Sequence, residues 1–404
     1  MARLITGGFE WNSIYADASP YVTGTATIAA AAARTGSYGL RLGDSQFIGY
    51  TIPGAVVSRT YFHRFYLRTS AAPAVASRLW VASDLSSGLD PFLRLNTDLT
   101  LQAMYDTNSP VALGSPSAAL STNTWYRIEC SYRINTSTND DAFEVLIDGT
   151  SLASSTTLNL GTGAIVRFAI GSSAQAHGVN LDFDDIAVND DQGASQNSWP
   201  GSGNVVLCLP ISDSQDGSWT GGAGGTGIDL SLAVKNTPPT GTATETDTTQ
   251  IESIDASGDN ATDEYRANLT TYTNAGIGGS DTITLIQPMC IHGEDVGTGT
   301  KTGSLGLQAN PSQTYATFTY ADDIGALATF GGAFDTNWKT KNGAPVYAPS
   351  VTLGSSPVLA VRKTDAGTRV ASVCAMGLYV DYIPAAGGAT EDVFPYVGGG
   401  YFPT

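Results

Sequence analysis

Short apolar runs broken by Gly, Pro, Asn and Asp recur along the whole chain, and few of them keep a helical period. In the first half they fall at 39–42, 47–50, 60–68, 92–95, 99–105, 125–132, 143–150, 166–171 and 181–188. Phe143, Val145 and Ile147 share one face of such a run while Glu144 takes the other, and Asp148-Gly149 supplies the positive φ values of a tight hairpin. Aromatic and β-branched runs at this spacing predict an antiparallel sandwich. The second half repeats the texture at 205–209, 282–290, 304–307, 315–320, 358–362 and 370–383, the last apolar on both faces and therefore central. The alanine-rich stretch 28–33 is helix-like but short, and 263–269 is expected to form one or two helical turns. The polar stretch 191–202 has neither period and reads as a linker. The expected organisation is all-β. Two antiparallel β-sandwich (jelly-roll) domains stand in tandem, 1–190 and 203–384, followed by an extended Gly/Pro/aromatic tail at 385–404.

Composition narrows the partners. The 404 residues carry 37 acidic and 19 basic side chains, a net charge of −18, and no Lys/Arg run offers a footprint for a nucleic-acid backbone or an anionic membrane. The acidity is uneven: residues 1–190 contain no lysine and sum to −5, leaving −13 for the remainder. No stretch approaches the roughly 18 apolar residues of a spanning helix, and the first residues lack a signal-peptide core, so folding in a cytosol is expected. Cys130, Cys208, Cys290 and Cys374 lie far apart in strand-like runs and read as buried thiols rather than a metal or redox set.

Most catalytic patterns fail on context. Gly222-Ala223-Gly224-Gly225-Thr226-Gly227 matches a dinucleotide fingerprint in letters, yet no helical period follows it, so it reads as a loop. No nucleophile elbow occurs. His63 sits within a strand, while His177 and His292 lie in Gly-rich loops without partner spacing. Asp182 and Asp184 alternate onto one face of a strand with Asp185 opposed, but lack the glutamates of the sandwich glucanases, so no catalytic residue and no enzyme activity are expected. Glu10, Asp184 and Asp185, with Asp44 or a loop carbonyl, form a candidate structural calcium site if the first and last strands of the domain are neighbours. The same aspartates can instead accept from turn amides, and three acids are few for calcium's roughly six to eight oxygens. No other cofactor is expected.

Residues 1–190 resemble the concanavalin A/laminin-G-like jelly-roll modules of bacteriophage structural genes. The resemblance is carried by Gly8-Phe9-Glu10, the run 36–42, Phe62-His63-Arg64-Phe65-Tyr66-Leu67-Arg68, Thr124-Trp125-Tyr126-Arg127-Ile128-Glu129 and Phe183-Asp184-Asp185-Ile186. The second half, through Asn197-Ser198-Trp199-Pro200-Gly201, Val205-Val206-Leu207, Asp216-Gly217-Ser218-Trp219 and the run 361–367, is similar to a module that follows the first in phage virion proteins. The resemblance implies a non-enzymatic virion component, a capsid decoration, head fibre or tail-associated protein. Such a protein is assembled in the host cytoplasm, contacts other virion proteins and is expected to form a homo-oligomer. Phe394, Tyr396, Tyr401 and Phe402 of the tail are the expected docking anchors. The alternative is a carbohydrate-binding adsorption module recognising host-surface glycans, with Trp80, Trp219 or Trp338 stacking on sugar rings. Core packing is the competing role for each of these tryptophans.

Overall fold

The structure is a computed structural model. It describes residues 3–11, 20–215 (apart from 53–54, 85–87, 138 and 173–174), 219–221, 251–253, 264–294, 302–308, 316–321, 339–342, 346–347, 354–363 and 371–385. Among these residues the protein is all-β: every sheet is antiparallel, and the one helical element is the single 3-10 turn Ala30–Ala32.

In the first domain an eight-stranded sheet faces a seven-stranded one. The larger runs Thr150–Leu158, Asp141–Ile147, Tyr126–Arg133, Thr60–Thr69, Leu181–Asp190, Gly39–Leu42, Thr27–Ala29, with Arg3–Gly7 also paired to Leu181–Asp190. The smaller runs Val111–Leu113, Leu101–Tyr105, Phe92–Leu95, Ser77–Ser83, Arg167–Gly171, Phe47–Thr51, Pro20–Thr23. Period-two alternation selects the inner faces. Tyr61, Phe65 and Leu67 from one strand, Ile128, Cys130 and Tyr132 from the next, and Phe143 and Val145 beyond them meet Leu79, Trp80, Phe168 and Ile170 of the opposite sheet. Fully burying each large apolar side chain is worth about 1.5–3 kcal/mol. The hairpin between Asp141–Ile147 and Thr150–Leu158 turns on Asp148 and Gly149, with φ of 52° and 83°.

The second domain has its own core, built from Val206, Cys208, Tyr265, Leu269, Ile286, Val361, Met376 and Leu378 among others. One sheet centres on the long pair Thr282–Glu294 and Ala371–Ile383, and Asn204–Cys208 also pairs with the latter strand. The other runs Pro210–Gln215, Glu264–Leu269, Val358–Lys363, Thr302–Gln308, Ala316–Ala321. The helical turn expected at 263–269 is therefore corrected. Glu264–Leu269 is a strand between two neighbours, and its alternate residues Tyr265, Ala267 and Leu269 are buried.

The two domains meet over the outer face of the eight-stranded sheet. Alternation places Arg64, Tyr66 and Arg68 on that face, opposite Phe65 and Leu67. The connecting segment crosses it: Gly201 N donates to Glu129 Oε1 (2.8 Å) and Gly203 N to the Tyr66 hydroxyl (3.4 Å). Trp199 packs edge-on against Phe62, with ring centroids 5.3 Å apart.

Candidate functional site

Trp80, a candidate for sugar stacking, has no exposed surface. Its ring stacks on Phe143 (5.9 Å between centroids) and its Nε1 donates to His63 Nδ1 at 3.4 Å, so it cannot meet a ligand. That expectation is corrected to core packing. Trp219 lies in the strand Trp219–Gly221, which pairs with Ile251–Ser253 at the end of its sheet. Trp338, Phe394, Tyr396, Tyr401 and Phe402 lie outside the described residues.

The carboxylates of Glu10, Asp184 and Asp185 gather beneath the turn at residues 34–38. Their oxygens, however, face protein donors. Glu10 accepts from Ser37 N (2.8 Å) and Tyr38 N (3.4 Å). Asp184 Oδ2 accepts from Arg34 N (2.7 Å) and Thr35 N (3.3 Å), and its Oδ1 from Asp185 N (2.8 Å). Asp185 binds Arg34 Nη1 (2.6 Å), the Thr35 hydroxyl (2.7 Å) and Val205 N (2.5 Å). Burial, then the neighbouring Asp185 and Glu10 carboxylates, push the Asp184 carboxyl well above the usual carboxylate range. Asp44 stands apart, accepting from Gly178 N at 2.6 Å. A hard cation needs oxygens facing one point without N–H groups in between. Among the described residues no group of acids, His or Cys is arranged to hold a metal ion. The trio fixes a turn and, through Val205, the start of the second domain.

Deeper in the joint, Asp381 of the second domain meets two arginines of the first. Arg3 Nη1 reaches Asp381 Oδ2 at 2.7 Å and Arg64 Nη2 reaches Oδ1 at 3.3 Å, with all three side chains essentially sealed from water. Arg3 Nε also donates to Asn189 Oδ1 (2.7 Å), and Arg64 Nε to the Asp185 carbonyl (3.0 Å). Burial pushes the Asp381 carboxyl up, and Arg64 and Arg3 outweigh it, so it titrates below its ordinary value.

Beyond this joint the outer face of the large sheet stays partly open, and a row of four residues crosses it, three on neighbouring strands and the fourth just before the strand Tyr126–Arg133. Arg41 and Arg68 stand in register on either side of Asp182. Arg41 Nε and Nη2 donate to Asp182 Oδ1 and Oδ2 at 2.7 and 3.0 Å, and Arg68 Nε and Nη2 donate to Oδ2 at 3.2 and 2.7 Å. Both Nη2 groups also donate to the Ala31 carbonyl. The fourth member is Trp125, half-buried, with the Arg68 guanidinium carbon 4.7 Å from its ring centroid. The arginine side chains keep 30% and 21% exposure against 6% for Asp182, so the cationic members are the accessible ones. Sequence reasoning used Trp125 and Arg68 only as carriers of a resemblance. The available signal was the Arg-x-Tyr-x-Arg spacing of Arg64, Tyr66 and Arg68, which marks one face of a strand.

No protein-family model matches the chain, and no curated protein matches it. Among solved structures it is similar to a cellulose-induced protein, Cip1, at 15% identity and a TM-score of 0.37, over 49% of this chain and 100% of that one. It is also similar to a carbohydrate esterase of the Shiga toxin-encoding bacteriophage phi24B at 15% identity and a TM-score of 0.34, over 47% and 99%. A third is the alginate lyase vAL-1 from Chlorella virus, at 11% identity and a TM-score of 0.31, over 38% and 84%. These likenesses are of the sandwich fold and assign no activity to this chain. The expectation that the chain is not an enzyme is withdrawn: the structures it is similar to include a lyase and an esterase. The similar structures also include domain 4 of the arabinanase AbnA from Geobacillus stearothermophilus in complex with arabinotriose, and none of these likenesses establishes a virion role.

Proposed function

We propose that the chain is a carbohydrate-binding adsorption module recognising glycans at a host-cell surface, with its ligand surface on the outer face of the eight-stranded sheet. One observation carries this reading: the second domain and linker cover that face as far as Glu129 and Tyr66, and the open remainder bears the row Arg41, Asp182, Arg68, Trp125. A sugar ring presents C–H groups that pack on an indole and hydroxyls that pair with fixed charged groups. Here the guanidinium forks are held by Asp182 before any ligand arrives, which lowers the ordering cost of binding.

Trp125→Ala removes the ring without touching either core. A glycan array probed with the native chain and with this variant is expected to show bound glycans for the first only, at equal melting temperatures. Undiminished binding by Trp125→Ala, or no binding by the native chain, counts against the proposal.

A second reading, a structural component of a bacteriophage virion, is compatible with the first and rests on the sequence resemblance of both halves. The sealed Arg3–Asp381–Arg64 joint favours it, since a water-excluded ion cluster ties the two sandwiches together. Antibody labelling of intact particles tests it, and particles devoid of the chain would end it.

A further inference from the structure

We infer that the sugar recognised at this face carries a carboxylate, as in a uronic-acid polymer, and that Arg41 and Arg68 receive it. The inference rests on the carbohydrate reading above and adds the chemical class of the ligand. Each guanidinium presents its Nε–Nη2 edge to Asp182, and neither Nη1 group has a hydrogen-bond partner among the described residues. One carboxylate between two arginines leaves a local excess of one positive charge, at the more exposed end of the cluster. An arginine presents five N–H donors and no acceptor, so a partner must bring acceptor oxygens. A hydroxyl can occupy one such position. A planar carboxylate fills two donors at once through charge-assisted bonds and cancels the excess charge.

The rest of the molecule sharpens the point. With a net charge of −18 the chain repels polyanions at long range, so an acidic polymer held here is held by contacts and not by a diffuse field. Raising the salt from about 0.01 M to about 0.15 M shortens the screening length from roughly 30 Å to roughly 8 Å. That change weakens the whole-chain repulsion more than the short bonds at the row. Affinity for the acidic polymer is therefore expected to hold or rise over this range.

The experiment compares polygalacturonate, uncharged dextran and dextran sulfate as ligands of the full chain, by calorimetry at about 0.15 M salt. Polygalacturonate is expected to bind about tenfold tighter than dextran, and Arg41→Gln and Arg68→Gln are each expected to erase that preference. Arg41→Lys, which keeps the charge and loses the fork, covers the case in which a glutamine variant melts early; it is expected to lose part of the preference. Equal affinity for polygalacturonate and dextran overturns the inference and leaves the carbohydrate reading standing. Dextran sulfate bound as tightly as polygalacturonate shows a general taste for polyanions and overturns the carboxylate assignment. Binding to neither acidic polymer, while an array glycan is bound, also overturns the inference. Absence of any bound glycan removes the reading beneath it.

Discussion

His63 shows how one side chain can be both polar and wholly interior. Trp80 Nε1 can only donate, so His63 Nδ1, 3.4 Å away, accepts, and the ring proton belongs on Nε2, facing the Tyr132 hydroxyl at 3.3 Å. Phe168 closes the pocket with its ring centroid 4.4 Å from the imidazole. Burial lowers the His63 pKa to about 3. Below the ordinary value near 6.5 the unfolded chain binds a proton that the folded chain refuses, so stability falls as pH falls. The decline is about 1.4 kcal/mol per pH unit until the folded pKa is reached. Denaturant titrations between about pH 6 and about pH 4 should therefore show a shallower decline for His63→Gln than for the native chain, whatever their difference at neutral pH. Parallel slopes would mean that this imidazole is charged in the fold. The inward place of His63 follows from alternation with Tyr61 and Phe65, so its position was readable from sequence. Its partners Trp80 and Phe168 were not, because they arrive from the opposite sheet.

At the scale of elements, alternation reveals strands wherever one face is apolar and the other polar. Helix propensity misleads at Glu264–Leu269, where Glu, Arg, Ala and Leu are good helix formers but pairing on both sides overrides the preference. A subtler miss concerns Leu181–Asp190. Strict alternation puts Asp184 and Asp185 on opposite faces, yet the register slips between Asp184 and Ala187, and Asp185 takes a φ of 52°. This bulge turns both carboxylates toward the same turn at Arg34 and Thr35. Replacing Asp185 by Ala strands the Val205 amide, strips the Arg34 guanidinium of its counter-charge although Asn204 Oδ1 still accepts from it at 2.7 Å, and weakens the hold on the Thr35 hydroxyl, while a methyl side chain gains nothing at positive φ. A loss of about 3 kcal/mol is expected in chemical denaturation. A loss below about 1 kcal/mol would show that solvent replaces these bonds freely. The row proposed to meet ligand was illegible for a different reason. Arg41 and Arg68 stand 141 and 114 positions from Asp182, and only the strand order of a folded sheet makes them neighbours.

For the whole molecule, the decisive contact is Asp381 between Arg3 and Arg64. The linker passes so close that a side chain on Gly203 would run into the Arg64 guanidinium and the Asp381 carboxylate, which is why glycine stands there. Removing the shared acid with Asp381→Ala leaves two buried guanidinium groups facing each other, at an expected cost of about 3–5 kcal/mol. Small-angle scattering should then report a larger radius of gyration as the sandwiches part. Replacing all three groups together by Arg3→Met, Arg64→Met and Asp381→Leu is expected to restore most of the stability, since apolar contacts of similar volume avoid the desolvation penalty. Should Asp381→Ala melt and scatter like the native chain, the joint is held by its apolar contacts instead.

That same ion cluster has a consequence for biosynthesis. Arg3 and Asp381 are 378 positions apart, and translation adds about 5–20 residues each second, so on the order of 20–80 s separate their emergence from the ribosome. In the second half of that interval, once Val188 has emerged, the N-terminal sandwich can complete its own core while Arg3 and Arg64 remain hydrated and lack the Asp381 carboxylate. The closing strand Ala371–Ile383 brings the counter-charge and acts as a latch. A nascent chain released before that strand would expose two arginines awaiting a carboxylate, a surface on which quality control, or another acidic chain in the cell, can act.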